Sequence, residues 1–379
     1  MDSIPGEVAV LARSEAVLAA LVDVLPVCSY VRADDAEMLS HWGDDPQTTV
    51  IVVDSLGDPR EFAQVAARVS RRKPIVVRTP AGITEGLAAL ARATGVILVE
   101  GLRDLVDTVR LLAYQPLPAG RRVAVSGDLL HADAATTLLP HAADADADAC
   151  LVVAPFGADL GTAWKTVLAA ERKVTTLACV LGQDGLVGGR VPCYAYPEQA
   201  VGALARVAAY AEWRRTAPEW LFVGDDPEAH GLVHDTPRLL AHFGITLGAS
   251  WPGVEMTVRG VNDPVTGPLV VVGYGGVVAE LTGDRACRVP PLGPETAAEM
   301  IADLRCSPLL YGYRDHPKAD TTALGELLTR VGRLIATLPE VTSIDLSPVT
   351  VSSKGVTVTG ARVRRADGRD DRDRRHSTQ

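Results

Sequence analysis

The sequence predicts an α/β fold of parallel sheets up to about residue 215 and an α+β fold after it. Three observations carry this expectation. Apolar, often β-branched runs at 6–12, 27–31, 49–53, 74–77 and 96–99 alternate with helical stretches across short connections, the pattern of strands joined by crossover helices. A second, shorter alternation opens at Arg122. Between 253 and 292 the chain reads instead as three short strands broken by turns, with no helical stretch between them.

In the first unit, GEVAVLA (6–12) is an apolar strand, and Ser14 is placed to cap a helix to about Val24. Strand 27–31 and a short helix over 34–42 follow, then a β-branched strand over 49–53. Asp58 starts a helix to about Ser70; strand 74–77, helix 85–93, strand 96–99 and helix 102–113 complete the series. Five alternations with short connections make a flavodoxin-like sheet with helices on both faces.

Residues 116–120 form a linker, and the second unit has strands at 122–125, 150–154, 174–181 and 191–196 with helices at 160–170 and 198–213. HAADADADA (141–149) is low-complexity, a loop or a frayed helix end. An amphipathic helix is predicted over 230–243, ending at Gly244.

Next, Val254, Met256, Val258 and Val261 mark the first of the three strands, and Asp263-Pro264 and Gly267-Pro268 mark turns. Leu269–Val272 is continuously apolar, as in a strand buried on both faces. Gly273, Gly275 and Gly276 turn the chain into a strand expected over 277–281. Helices over 295–304 and 321–336 and strands over 342–346 and 355–363 follow. The expected domains are 1–115, 116–215 and 216–366, with 367–379 a disordered tail.

The chain is 47% hydrophobic but only 4% aromatic, so its cores are aliphatic. A net charge of −10 argues against general nucleic-acid binding. The six cysteines are widely spaced, with no C-x-x-C pair, which reads as buried free thiols in a reducing cytosol. No run reaches the ~18 apolar residues of a membrane span, and the N-terminus has no secretory pattern. A soluble cytoplasmic protein with no membrane partner is expected.

Gly253-Val254-Glu255, Asp263-Pro264, Gly267-Pro268, Gly275-Gly276, Glu280, Asp284, Arg288 and Pro290 stand in one order. Together they resemble the second half of an ATP-grasp domain, as found in the NDP-forming acyl-CoA synthetases, relatives of succinyl-CoA synthetase. Pro308-Leu309-Leu310 and Gly312-Tyr313-Arg314 match as well, and VPCYAYPEQAVGALARVAAYAEWRR (191–215) resembles the end of that family's second flavodoxin-like domain. The resemblance implies two flavodoxin-like (succinyl-CoA synthetase-like) domains followed by a partial ATP-grasp domain.

The resemblance also implies a chemistry that can be checked part by part. The family forms an acyl-phosphate and moves the phosphoryl group on a histidine loop. Its nucleotide-gripping subdomain should lie between Phe243-Gly244-Ile245 and Gly253-Val254-Glu255, where only a handful of residues stand. Without cationic and N–H donors, little offsets the desolvation of a triphosphate. Its magnesium ligands are an asparagine before a proline and an aspartate in the last strand, which neutralise phosphate charge through the metal. Ser347 and Gly360 stand there instead. Asp345 or Glu280 could substitute, or both are ordinary strand-end carboxylates. After the fourth strand, RTPAGITEGLAALARATGVI contains no histidine; His131 and His141 lie nearest a switch region and read as solvated residues.

The family's phosphate cradles are two helix N-termini. The first reads Ala12-Arg13-Ser14-Glu15-Ala16, keeping Ser14 but adding the charge of Glu15; two like charges at ~4 Å repel by about 1–4 kcal/mol. Glu15 is equally a carboxylate well placed in a helix's first turn. The second reads Ser126-Gly127-Asp128, keeping Gly127. The G-Y-G-G of 273–276 leads into a strand, not a helix, and so fails the dinucleotide test.

The positions that the resemblance marks for binding are therefore Ser14, Gly127, Glu255 and Glu280, with Asp345 and Ser347 at a degenerate magnesium position and no catalytic residue. No cofactor is expected; ATP or ADP, magnesium and CoA enter only through the resemblance. Three functions follow: a non-catalytic binding, regulatory or scaffold component; an active acid–CoA ligase completed by a complementary subunit; or a sensor of CoA, acyl-CoA or nucleotide. The implied partner is a complementary synthetase-like subunit or a second copy of the chain.

Overall fold

The architecture comes from a computed structural model. It describes residues 7–22, 25, 27–31, 36–127, 147–154, 165, 174–217, 224, 226–249, 251–276, 282–314, 317–366 and 370–371. The chain divides into two compact units: 1–84 with 91–218, and 85–90 with 219–379.

The first unit holds two sheets. The first sheet uses β1 (Glu7–Leu11), β2 (Val27–Val31), β3 (Thr48–Val53), β4 (Ile75–Arg78) and β5 (Ile97–Val99) in the order β2-β1-β3-β4-β5. Every pair in it is parallel, the flavodoxin-like arrangement. Its helices are α1 (Glu15–Val22), α2 (Ala36–Asp44), α3 (Pro59–Val69), α4 (Glu85–Thr94), whose residues 85–90 fall in the second unit, and α5 (Leu102–Tyr114). Asp58 caps α3 as predicted, accepting the N–H groups of Arg60 and Glu61.

The second sheet has β6 (Val123–Gly127), β7 (Ala149–Ala154), β8 (Thr175–Val180), β9 (Gly185–Val187) and β10 (Val191–Tyr194) in the order β6-β7-β8-β10-β9. Strand β9 was not predicted; it adds antiparallel to β10 at the edge. Its three residues are too short to register as a periodic run. The long helix α6 (Pro197–Thr216) begins with a capping box, Tyr196 reciprocated by Gln199. Helices α5 and α6 pack in one core with both sheets, through Leu105, Val109, Leu151, Leu177, Leu204 and Val207. The predicted helix over 160–170 and the loop over 141–149 lie mainly outside the described residues.

The second unit is antiparallel, with β11 (Val254–Asp263), β12 (Gly267–Tyr274), β13 (Arg285–Arg288), β14 (Val341–Ser352), β15 (Gly355–Val358), β16 (Ala361–Arg365) and β17 (Asp370–Asp371). The order is β13-β12-β11-β14-β16-β17, with β15 on β14. Helices α7 (Pro227–Gly231), α8 (Thr236–His242), α9 (Pro294–Ala302), α10 (Pro308–Tyr311) and α11 (Thr321–Thr337) accompany it. Leu324, Leu328, Val331 and Ile335 of α11 recur at helical spacing and pack in one core with Met256 and Val258 of β11. Each such side chain contributes about 1.5–3 kcal/mol by leaving water.

Three expectations need correcting here. The amphipathic helix over 230–243 is two short helices, because Asp226 and Asp235 cap separate starts and Pro237 removes an N–H that a continuous helix would use. The last strand, expected over 355–363, breaks at Thr359-Gly360 into β15 and β16. A strand that was not predicted runs over Arg285–Arg288, and the strand expected over 277–281 lies outside the described residues. The tail, expected to be disordered, places Asp370 and Asp371 beside Arg364 and Val363 as a two-residue strand.

Candidate functional site

In the first unit the order β2-β1-β3-β4-β5 puts a switch point between β1 and β3, where such sheets bind ligands at the carboxyl ends of the strands. Ser14 lies there, partly buried, in the turn from β1 to α1, and its carbonyl accepts the N–H of Val17 at 3.2 Å. Its own N–H points to Asp54, the residue that follows β3. One Asp54 oxygen accepts from Arg13 N–H at 2.8 Å and the other from Ser14 N–H at 2.9 Å. A carboxylate so placed satisfies two donors of the turn that leads into α1. Glu15 is exposed in the first turn of α1. Gly127 ends β6 opposite Val153; Asp128, His131 and His141 lie outside the described residues.

Deeper in this unit a charged network was invisible to sequence reading. Arg110 of α5 is 1% exposed and donates to Asp184 at 2.5 Å. Arg103 reaches Asp107 at 2.9 Å and Asp184 at 2.8 Å. Burial raises the Asp107 carboxyl, and the two guanidiniums offset this only in part. Burial also pushes Asp184 up, but Arg110 and Arg103 outweigh it and hold that group below its ordinary value. Cys179 is buried and pushed up to about 12, so it stays a thiol. Cys179 and Cys193 are buried free thiols, as expected, while Cys150, Cys287 and Cys306 are half-buried.

In the second unit Glu255 is exposed on β11, its carbonyl accepting Gly275 N–H at 2.8 Å. Its side chain covers Gly275, where a Cβ would meet Glu255 Cγ at 2.7 Å. Asp345 on β14 faces Arg259 on β11 as a direct cross-strand partner and is ion-paired with it. Ser343 Oγ lies 3.5 Å from the other Asp345 oxygen. Ser347 N–H donates to Gly360 carbonyl at 3.0 Å, and a Cβ on Gly360 would sit 2.4 Å from Ser347 carbonyl. Glu280 lies outside the described residues.

These residues do not fit magnesium. Asp345 is neutralised by a guanidinium, Ser347 offers a hydroxyl, and the close approach at Gly360 leaves no room for a carboxylate side chain. Among the described residues no three His, Cys, Asp or Glu side chains gather as a metal group. The remaining motif residues of this stretch hold the fold together. Asp263 accepts from Val265 N–H, Thr266 N–H and the Thr266 hydroxyl, closing the β11–β12 turn. Buried Asp284 accepts Arg305 N–H at 2.9 Å and Cys306 N–H at 2.8 Å. Buried Arg288 donates to Asp303 at 2.5 Å, at the end of α9.

The fold and these motifs define a class: a flavodoxin-like CoA-ligase scaffold joined to an ATP-grasp segment. Residues 5–90 match the succinyl-CoA ligase like flavodoxin domain, and residues 241–364 match an ATP-grasp domain. The chain is a relative of the ADP-forming acyl-CoA ligases.

The subunit beta of acetate–CoA ligase [ADP-forming] I from Pyrococcus furiosus is 37% identical over 97 residues, 26% of this chain and 42% of that subunit. The 4-hydroxybutyrate–CoA ligase [ADP-forming] of Nitrosopumilus maritimus is 20% identical over 533 aligned positions, 92% of this chain and 76% of that ligase. The solved dinucleotide-forming acetyl-coenzyme A synthetase 1 of Ca. Korarchaeum cryptofilum, in complex with coenzyme A and Mg-AMPPCP, is 38% identical. That match covers 30% of this chain and 54% of that one, with a TM-score of 0.29. The chain spans less than half the length of the first curated relatives it matches. No helix among the described residues is long and apolar enough to cross a membrane.

Proposed function

We propose that this chain is a binding, regulatory or scaffold component built on the acyl-CoA ligase framework, without turnover of its own. In this reading 1–115 and 116–215 are the two CoA-ligase-type domains, and 216–366 is a partial ATP-grasp domain working in the cytoplasm. The observation that carries it is Gly360 lying so close to the Ser347 carbonyl that no metal-binding side chain fits. The Arg259–Asp345 pair and the short Ile245–Gly253 connection support it. Phosphoryl transfer depends on neutralising concentrated negative charge, and the residues at these positions do not supply that.

The test is an assay of purified protein with acetate or a longer acid, CoA, ATP and magnesium, read as acyl-CoA formed. The expected result is no turnover above a heat-treated control; turnover by the chain alone overturns the reading.

A second reading is a ligase completed by a partner chain. It is favoured by relatives that are themselves alpha and beta subunits of acetate–CoA ligases. It predicts a stable complex with a chain that supplies the gripping lysines. Co-purification yielding only copies of this chain counts against it.

The sensor reading has a separate support. A cleft of about 700 Å³ in the first unit is lined by Arg92, Arg121, Arg206, Tyr210 and Trp213, a size suited to a small ligand. Arg121 and Arg206 are already paired with Glu212 and Asp104. A thermal-shift series with CoA, acetyl-CoA, ATP and ADP decides it, since binding to the folded state raises apparent stability.

A further inference from the structure

We infer that the cleft at the amino ends of β5 and β6 is a binding site for a small aromatic anion, a planar ring carrying a carboxylate or a phosphate ester. The cleft is the one that supports the sensor reading. The inference rests on the proposal that this chain is a binding component, and it names a ligand class. The site lies at the opposite end of the first sheet from the β1/β3 switch point. Gly95 lines it just before β5, Arg121 just before β6, and α6 supplies a wall from Arg206 to Thr216.

The aromatic wall is preformed. Trp213 Nε1–H donates to Arg92 carbonyl at 3.0 Å, and its ring lies 6.4 Å from the Tyr210 ring at an interplanar angle of 18°. Tyr210 is fixed in turn by its hydroxyl, which donates to Ser70 carbonyl at 2.7 Å. Gly95 has a φ of +75°, and a Cβ there would overlap the indole. Val96 and Ile97 add apolar surface to the lining. A fixed aromatic and apolar surface of this kind takes a flat ring by stacking.

The charged residues of the lining are Arg92, Arg121, Arg206 and Glu212, three guanidiniums to one carboxylate, in a chain whose net charge is −10. A guanidinium presents five N–H donors. Arg121 gives two to Glu212, and Arg206 gives one to Asp104 and one to the Thr108 hydroxyl. The other donors of Arg121 and Arg206 have no protein partner among the described residues. Glu212 and Asp104 are 41% and 47% exposed, so both pairs are weak and hold the guanidiniums in place without saturating them. The fork of a guanidinium matches the paired oxygens of a carboxylate or a phosphate ester. An inorganic anion leaves the aromatic wall unused, and a neutral ring leaves the guanidiniums unused. A compound with both parts uses the whole cleft, whose volume of about 700 Å³ suits it.

The experiment titrates the full chain by calorimetry with phenyl phosphate and with benzoate, at constant ionic strength and without CoA or nucleotide. Inorganic phosphate and benzyl alcohol are the charge-only and ring-only controls. The expected result is one site per chain for at least one aromatic anion, with a Kd of roughly a millimolar or below, about tenfold or more tighter than either control. The tighter of the two tells a phosphate-ester site from a carboxylate site, and either supports the inference. Arg121→Gln/Arg206→Gln is expected to weaken binding about tenfold or more. Ala209→Phe, at an exposed position of the cleft, is expected to abolish binding without lowering the melting temperature. Arg121→Gln alone, at a side chain 64% exposed, keeps the comparison open if the double variant fails to fold. The inference is overturned if neither aromatic anion binds, if both bind no tighter than the controls, or if binding is unchanged in the folded variants. Turnover by the chain alone would overturn the proposed function and not this titration, which contains no acyl acceptor; absent binding would overturn the inference and leave a lack of turnover intact.

Discussion

Arg110 and Asp184 join the two sheets of the first unit through an ion pair of 2.5 Å, with Arg110 only 1% exposed. The guanidinium also lies 5.9 Å from the centre of the Tyr194 ring and donates to Cys193 carbonyl at 3.3 Å. Tyr194 in turn donates its hydroxyl to Asp107 carbonyl at 3.0 Å. A helix of the first sheet is thus tied to the far edge of the second. Arg110→Met should destabilise the unit by about 3 kcal/mol, because removing one partner of a buried pair strands the other charge. The urea midpoint followed by circular dichroism measures it. The double variant Arg110→Met/Asp184→Leu should recover part of the loss, since an apolar replacement of both partners leaves no stranded charge.

Asp284 makes the second unit acid-sensitive. Burial pushes its carboxyl up, but the N–H groups of Cys306 and Arg305 outweigh that and hold it below the usual 3.8. A carboxyl depressed in the folded state contributes stability above its unfolded value and loses it as pH falls below that value. Urea unfolding from pH 7 to pH 3 should therefore show a declining limb below about pH 4. Asp284→Asn should cost about 1–3 kcal/mol at neutral pH and flatten that limb. An unchanged pH dependence would show that the acid loss arises elsewhere.

Gly360 offers a test of the metal position. Gly360→Asp would restore a carboxylate, but its Cβ would meet the Ser347 carbonyl at 2.4 Å. The backbone would have to part, at a cost of about 1–3 kcal/mol. The expected outcome is a lower melting temperature that magnesium does not rescue. The further variant Gly360→Asp/Arg259→Ala is expected to regain a magnesium response only if β14 and β16 separate locally. Isothermal titration with magnesium measures it.

Asn262 closes the end of α11. Its side-chain amide lies 2.6 Å from Val341 carbonyl and 3.1 Å from Leu338 carbonyl, with Ile335 carbonyl at 3.4 Å. Asn262→Ala should cost about 1–2 kcal/mol through unsatisfied carbonyls. Asn262→Asp should cost more, because a carboxylate there faces carbonyl oxygens at the negative end of a helix. Equal effects of the two substitutions would argue against the amide's donor role.

Much of this scaffold was legible before any coordinates. Alternating strands and helices over 6–114 led to a parallel doubly wound sheet, and the turn dipeptides after 253 led to short strands broken by turns, which the structure pairs antiparallel. Both followed from periodicity, which is local. Asp58, Asp263 and Gly267 also read correctly as cap and turn residues, because their work is done within a few positions of chain. The central motif was legible too, and much of it proves to be architecture: Asp284 and Arg288 fasten backbone and helix ends rather than hold a ligand.

The site was less legible, for a physical reason. Ser14, Glu255, Asp345 and Ser347 could be named one at a time, but their partners lie far off in sequence. Asp54 stands 40 residues from Ser14, Arg259 86 residues from Asp345, and Asp184 74 residues from Arg110. The strand before Asp54 was visible, yet nothing local said which N–H groups that carboxylate would meet. By itself, the sequence determined this protein's elements, its turns and the kinship of its motifs. Tertiary structure alone decided which charges face one another, because strand order and register, not neighbouring residues, bring a carboxylate to a helix start or an arginine to an aspartate.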